Sequence, residues 1–104
     1  MATTALISGA TTAATGETAE IHNLGAPRTV QASIAGTGAQ TATVIVEGAN
    51  EATGTFFETI VTFTLSGTTT DHGGYAFPAN WTYIRARITT LTGTGATINV
   101  NLGA

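Results

Sequence analysis

The feature that most constrains this chain is a two-residue rhythm of apolar and polar side chains, repeated in short segments that glycine separates. Val30, Ala32 and Ile34 alternate with Gln31 and Ser33, and Ala42, Val44 and Val46 alternate with Thr41, Thr43 and Glu47, with Ile45 making the second face partly apolar. Phe57, Val61, Phe63 and Leu65 share one face of the next segment against Glu58, Thr62 and Thr64, interrupted by Ile60. Ile84, Ala86 and Ile88 oppose Tyr83, Arg85, Arg87 and Thr89, and Ala96, Ile98, Val100 and Leu102 oppose Thr97, Asn99 and Asn101. A strand turns successive side chains to opposite faces, whereas a helix would repeat its apolar positions every three to four residues. These segments therefore read as half-buried strands.

Thr3 to Ile7, Glu17 to His22 and Gly74 to Phe77 read as weaker strands, the last ended by Pro78, which cannot donate to a ladder. Ala10 to Ala19 reads as loop, because its threonines and Gly16 are poor helix residues and no apolar stripe recurs at helical spacing. Gly36-Thr37-Gly38-Ala39 and Gly93-Thr94-Gly95-Ala96 each lie between alternating segments and read as hairpin loops. About eight short strands with glycine-rich turns predict an all-β, antiparallel β-sandwich of jelly-roll-like form, with a Greek-key barrel as the other architecture of this pattern. Residues 1–15 are expected to be an N-terminal arm or edge strand, and residues 16–104 a single sandwich domain.

The chain has 104 residues and no cysteine, so disulfides, thiolate nucleophiles and Cys-based metal sites are excluded. Only 9% of residues are charged, none is lysine, and the only cations are Arg28, Arg85 and Arg87 on a chain of formal net charge −3. A surface so poor in long hydrated side chains suits one largely covered by neighbours. Three arginines cannot form the basic stripe that phosphate binding needs, so no nucleic-acid partner is expected. No apolar run approaches the length of a membrane-spanning helix, and no membrane partner is expected. Met1 to Ile7 carries no basic residue ahead of Leu6 and Ile7, so no secretory signal is expected.

Candidate chemistry is sparse. His22 and His72 have no ligand at metal-binding spacing except Asp71, beside His72, and the segment from Thr68 to Gly74 holds too few carboxylates for a calcium loop. Ser8, Ser33 and Ser66 are not set in a nucleophile elbow, and Glu47, Glu51 and Glu58 read as polar-face or loop residues. No catalysis, metal or cofactor is expected. The most individual stretch is Trp81 to Ile88, which gathers the single tryptophan, one of two tyrosines and two of three arginines. On alternation Trp81, Tyr83, Arg85 and Arg87 share a face, and these residue types are the ones enriched at interface hot spots. With Arg28 they form the candidate interface; the alternative is that the arginines pair with Glu47 or Glu58 across strands.

The Ala-Thr-rich N-terminal segment, the strand Thr41 to Gly48, the phrase Ile60 to Asp71, the strand Trp81 to Ile88 and the ending Gly93 to Gly103 together resemble the small β-sandwich virion proteins of tailed bacteriophages. Such proteins are often head decoration, or cement, proteins. The resemblance implies a structural protein on the outer capsid surface, assembled in the host cytoplasm, with the major capsid protein as partner and a homotrimer as the form suited to local threefold positions. The strand Trp81 to Arg85 also resembles one found in jelly-roll carbohydrate-binding modules, which implies the alternative of a glycan-binding, tail- or fibre-associated module.

Overall fold

The computed structural model describes residues 3–22, 24–51, 56–78 and 80–103. Eight strands follow one another: β1 (Thr3–Ala10), β2 (Ala19–Glu20), β3 (Pro27–Ala35), β4 (Gln40–Ala49), β5 (Glu58–Gly67), β6 (Thr70–Pro78), β7 (Tyr83–Thr92) and β8 (Thr97–Gly103). They form two four-stranded antiparallel sheets, ordered β1-β8-β3-β6 and β2-β7-β4-β5. β1 pairs with β8, β2 with β7, β3 with β6 and β4 with β5, as if one long hairpin had been rolled up from its β4–β5 turn. The further pairings β3–β8 and β4–β7 complete each sheet. This is the jelly-roll arrangement of two Greek keys.

The alternating residues meet between the sheets. Val30, Ala32 and Ile34 of β3, Val44 and Val46 of β4, Ile84, Ala86 and Ile88 of β7, and Ile98, Val100 and Leu102 of β8 are buried in one core, joined by Phe63 and Leu65. Leu6 and Ile7 of β1 belong to the same core, Leu6 being wholly inaccessible. β1 is thus an edge strand laid along β8 from Thr3 opposite Gly103 to Ala10 opposite Ile98. Residues 14–17 continue the closure: Gly16 N–H donates to the Ala86 carbonyl, Ile88 N–H to the Ala14 carbonyl and Glu17 N–H to the Leu6 carbonyl, each at 2.8 Å.

The two glycine loops are not hairpins. β3 and β4 lie in different sheets, as do β7 and β8, so 36–39 and 93–96 are arches that carry the chain across the core. Gly-rich composition signals a tight reversal but is silent on whether the next strand pairs with the last or crosses over it. The echo between the loops has a local cause. They lie side by side, with the Thr37 N–H and hydroxyl both donating to the Thr94 carbonyl at 3.2 Å. Gly38 (φ 93°) and Gly95 (φ 65°) take the left-handed conformations such arches need. Beneath them Gln40, 2% exposed, donates its Nε2 to the Thr69 carbonyl at 2.9 Å and so ties in the β5–β6 turn.

Candidate partner-binding surface

The strand directions give the sandwich two unlike ends. At the far end, residues 11–13, 36–39, 68–69 and 93–96 consist of glycine, threonine and alanine alone. At the near end, where β4 and β6 finish and β5 and β7 begin, lie five of the seven aromatic residues: Phe56, Phe57, Phe77, Trp81 and Tyr83. Pro27, Arg28 and Pro78 lie there too, with Pro27 opposite Pro78 and Arg28 opposite Phe77 across β3 and β6. Phe56 is 78% exposed and Leu24, in the β2–β3 loop, 55%. Large exposed apolar groups on an otherwise threonine-covered protein mark a contact surface.

One polar cluster supports this end. β4 and β7 pair Glu47 directly with Arg85, and Arg87 follows on the same outer face. Arg87 Nε donates to Glu47 Oε1 at 2.9 Å, and Arg85 Nε stands 3.6 Å from the same oxygen, within ion-pair range but too far to be a hydrogen bond. The Arg85 guanidinium lies 3.7 Å from the centre of the Phe57 ring, a cation–π contact. Glu47 is consequently only 4% exposed although it projects from the solvent face of its sheet. Tyr83, on that face as well, donates its hydroxyl to Glu20 Oε2 at 3.4 Å.

Of the residues singled out by sequence, Tyr83, Arg85 and Arg87 are brought together on this face. Trp81 is not. β7 starts at Tyr83, and Trp81, in the turn before it, packs inward against the core over Gly48. Arg28 stands on the other sheet at the same end, its Nε buried and without a hydrogen-bond partner among the described residues. It borders a shallow, mainly apolar cleft of about 470 Å³ formed by Pro27, Thr29, Ala76, Pro78 and Gly103. A second depression of about 320 Å³ lies between Trp81, Phe56, Phe57, Asn50, Glu51 and Glu58. Phe57, which alternation groups with Val61, Phe63 and Leu65, instead precedes β5 and lies under the Arg85 guanidinium, because the strand begins only at Glu58. Phe56 beside it is the residue that sequence reading passed over, and an aromatic pair just ahead of a strand was the available signal.

Asp71 also has a role its turn-like setting hides. Its carboxylate accepts the Ser66 N–H and the His72 N–H, both at 2.9 Å. Those two bonds, Ser66 first, hold its pKa below the ordinary value of 3.8. A carboxylate with a folded pKa below its unfolded one stabilises the fold above the unfolded pKa, and the contribution disappears as pH falls through the folded value. The stability advantage of the native chain over Asp71→Asn is therefore expected to be constant down to about pH 4 and to shrink below it. Melting curves of both proteins through the acid range measure this, and a difference independent of pH would show that the carboxylate charge plays no part.

Among the described residues no group of three or more His, Asp or Glu is placed to hold a metal ion, and no helix is long and apolar enough to cross a membrane. No protein-family model matches the sequence, and no curated protein matches it either. Among solved structures, the crystal structure of the SPBc2 prophage-derived protein YomS is similar in fold, with a TM-score of 0.63 at 13% identity over 98% of this chain and 90% of that one.

Proposed function

We propose that this chain is a structural virion protein of a tailed bacteriophage, a decoration protein that binds the outer surface of the head through its aromatic end and stabilises the shell. The observation that carries the reading is the division of the surface. Exposed Phe56 and Leu24, the apolar cleft beside Arg28 and the braced Arg85–Glu47–Arg87 face gather at one end, and the other end offers only small side chains. Such a molecule has one adhesive end and one inert end, the form suited to a protein that coats a surface without cross-linking particles. The phage setting is supported by the likeness, over nearly the whole of both chains, to a prophage-derived protein. The partner is the major capsid protein, and no catalytic role is assigned.

The test is attachment. Co-sedimentation with heads lacking the protein is expected to show saturable binding at on the order of hundreds of copies per particle, as a repeated shell position requires. Replacing Arg28 and Phe56 by alanine is expected to weaken it at least tenfold, while lysines at Thr37 and Thr94, on the far end, leave it unchanged. Retention at a dozen copies or fewer would place the protein on the tail and sink the decoration reading. The depression beside Trp81, with its aromatic rings, Asn50 and two carboxylates, favours glycan binding as the second reading. The lone tryptophan supplies its own probe: a saturable change in its emission on titration with host surface glycans would support that reading instead.

A further inference from the structure

A sandwich has two flanks, where edge strands of its two sheets lie side by side, and this protein treats them differently. The β1/β2 flank is shut. Residues 14–17 run along it, bonded to Leu6 on one sheet and to Ala86 and Ile88 on the other. β1 breaks register twice and β2 has two residues, both features that blunt an edge. The β5/β6 flank carries no such cover among the described residues, although its strands are ten and nine residues long.

The open groups on that flank can be identified. In an antiparallel ladder, alternate residues bond to the neighbour and the rest face away. The Ser66 N–H donates to Asp71, so the same alternation turns the N–H and C=O of Thr62 and Thr64 to the open side of β5. On β6 the His72 N–H is likewise taken by Asp71, and Pro78 has none, which leaves Gly74 and Ala76. The ends of both edges are thus capped and the middles free. Between the two edges Phe63 lies against Gly73, where a Cβ would come within 2.9 Å of its ring. Two residues nearer the aromatic end are half-buried Val61 and Tyr75, the tyrosine 44% exposed and stacked on Phe77 at 6.0 Å.

We propose that a second copy of this chain docks on the β5/β6 flank about a two-fold axis that runs just outside the two edges, level with Phe63 and Gly73. An axis normal to the sheets reverses strand direction, so β5 meets β5 and β6 meets β6 antiparallel, and the seat of Phe63 on Gly73 lets one axis serve both. Thr62 of each copy then faces Thr64 of the other and exchanges backbone bonds, with threonine pairs across the strands. Glu58 is carried beyond the far end of the other β5, and Asp71 comes opposite Tyr75 across the β6 pair. Tyr75 and Val61 are covered. An isologous contact of this kind closes at two chains, in place of the trimer that shell symmetry suggested, and it stands whether or not the chain belongs to a virion.

Light scattering on the full chain is expected to give twice the 10.5 kDa chain mass. Thr64→Pro removes an N–H that β4 does not use, at an edge where proline is tolerated, and is expected to return the mass to one chain with an unchanged circular dichroism spectrum. Tyr75→Glu, which leaves the ladder intact and places a charge on the flank, is expected to weaken the dimer at least tenfold and serves if the proline variant does not fold. A single-chain mass for the native protein up to about 1 mM, a range that reaches even feeble association, would overturn the proposal. So would an oligomer, trimer included, that survives both substitutions.

Discussion

Deleting residues 1–10 is expected to abolish cooperative unfolding rather than trim a loose arm. Leu6 is wholly inaccessible and Ile7 6% exposed, and both pack with residues of the two sheets. Leu6→Ala alone should cost about 2–5 kcal/mol, as cavity-forming changes at fully buried leucines do. Removing the strand also strips β8 of its outer neighbour and frees the Glu17 N–H from the Leu6 carbonyl, which opens the flank that 14–17 closes. Set against a net stability of about 5–15 kcal/mol for a domain of this size, the combined loss leaves little or no folded population. Thermal melts followed by circular dichroism check it: a sharp transition retained by the truncated chain within a few degrees of the native one would show that seven strands suffice.

That β1 is structural was only half legible in the sequence. Leu6 and Ile7 are an adjacent apolar pair, and adjacent residues on a regular strand point apart, so the pair looked like weak evidence for a core strand. The register breaks between Ala5 and Ile7 and between Ile7 and Ala10 let both side chains turn inward. Alternation worked where strands are regular and flanked on both sides, as in β3, β7 and β8. It failed on β6, which begins at Thr70 rather than at Gly74, because Gly73 has no side chain to register and serves to admit Phe63. It also misplaced Trp81, by carrying the rhythm of β7 two residues past the strand's start. The pairing of Arg85 and Arg87 with Glu47, by contrast, was an expected alternative, since charges at matched positions on neighbouring outer faces find each other.

The jelly roll itself was legible as a class from strand number and spacing, yet its order was not, because sheet membership is decided by what each arch crosses. Only the β4–β5 connection joins neighbours in one sheet; every other connection changes sheet. One consequence bears on function. Because each strand carries the chain from one end of the sandwich to the other, alternate connections share an end. The aromatic residues of the β4–β5 and β6–β7 connections and of the strand ends beside them, scattered from Phe56 to Tyr83 in sequence, are thereby collected at one end. A partner reading that end meets residues from both sheets, so its binding depends on the packing that holds the sheets in place.

Gly48→Ala tests that dependence at its most sensitive point. A Cβ on Gly48 would overlap Cγ and Cδ1 of Trp81, so the indole must move. The backbone cannot move with it, since the next carbonyl, that of Thr82, accepts the Ile21 N–H at 2.7 Å and holds the turn to β2. The ring therefore swings toward solvent and gives up its packing against the core, at an expected cost of about 2–4 kcal/mol from overpacking and lost aromatic burial. Emission from the only tryptophan should shift to longer wavelength and become open to iodide quenching while the circular dichroism spectrum stays that of the native sandwich. In the double variant Gly48→Ala, Trp81→Ala the clash has no object, so the combined loss should be clearly smaller than the two single losses added together. Native emission and melting temperature in Gly48→Ala would mean that the ring does not rest on Gly48, and additivity in the double variant would mean that the two residues act apart. If the coupling holds, attachment to a partner through the aromatic end should fall in the single variant as well, because Phe56, Phe57 and Trp81 line one depression and lose their common wall together.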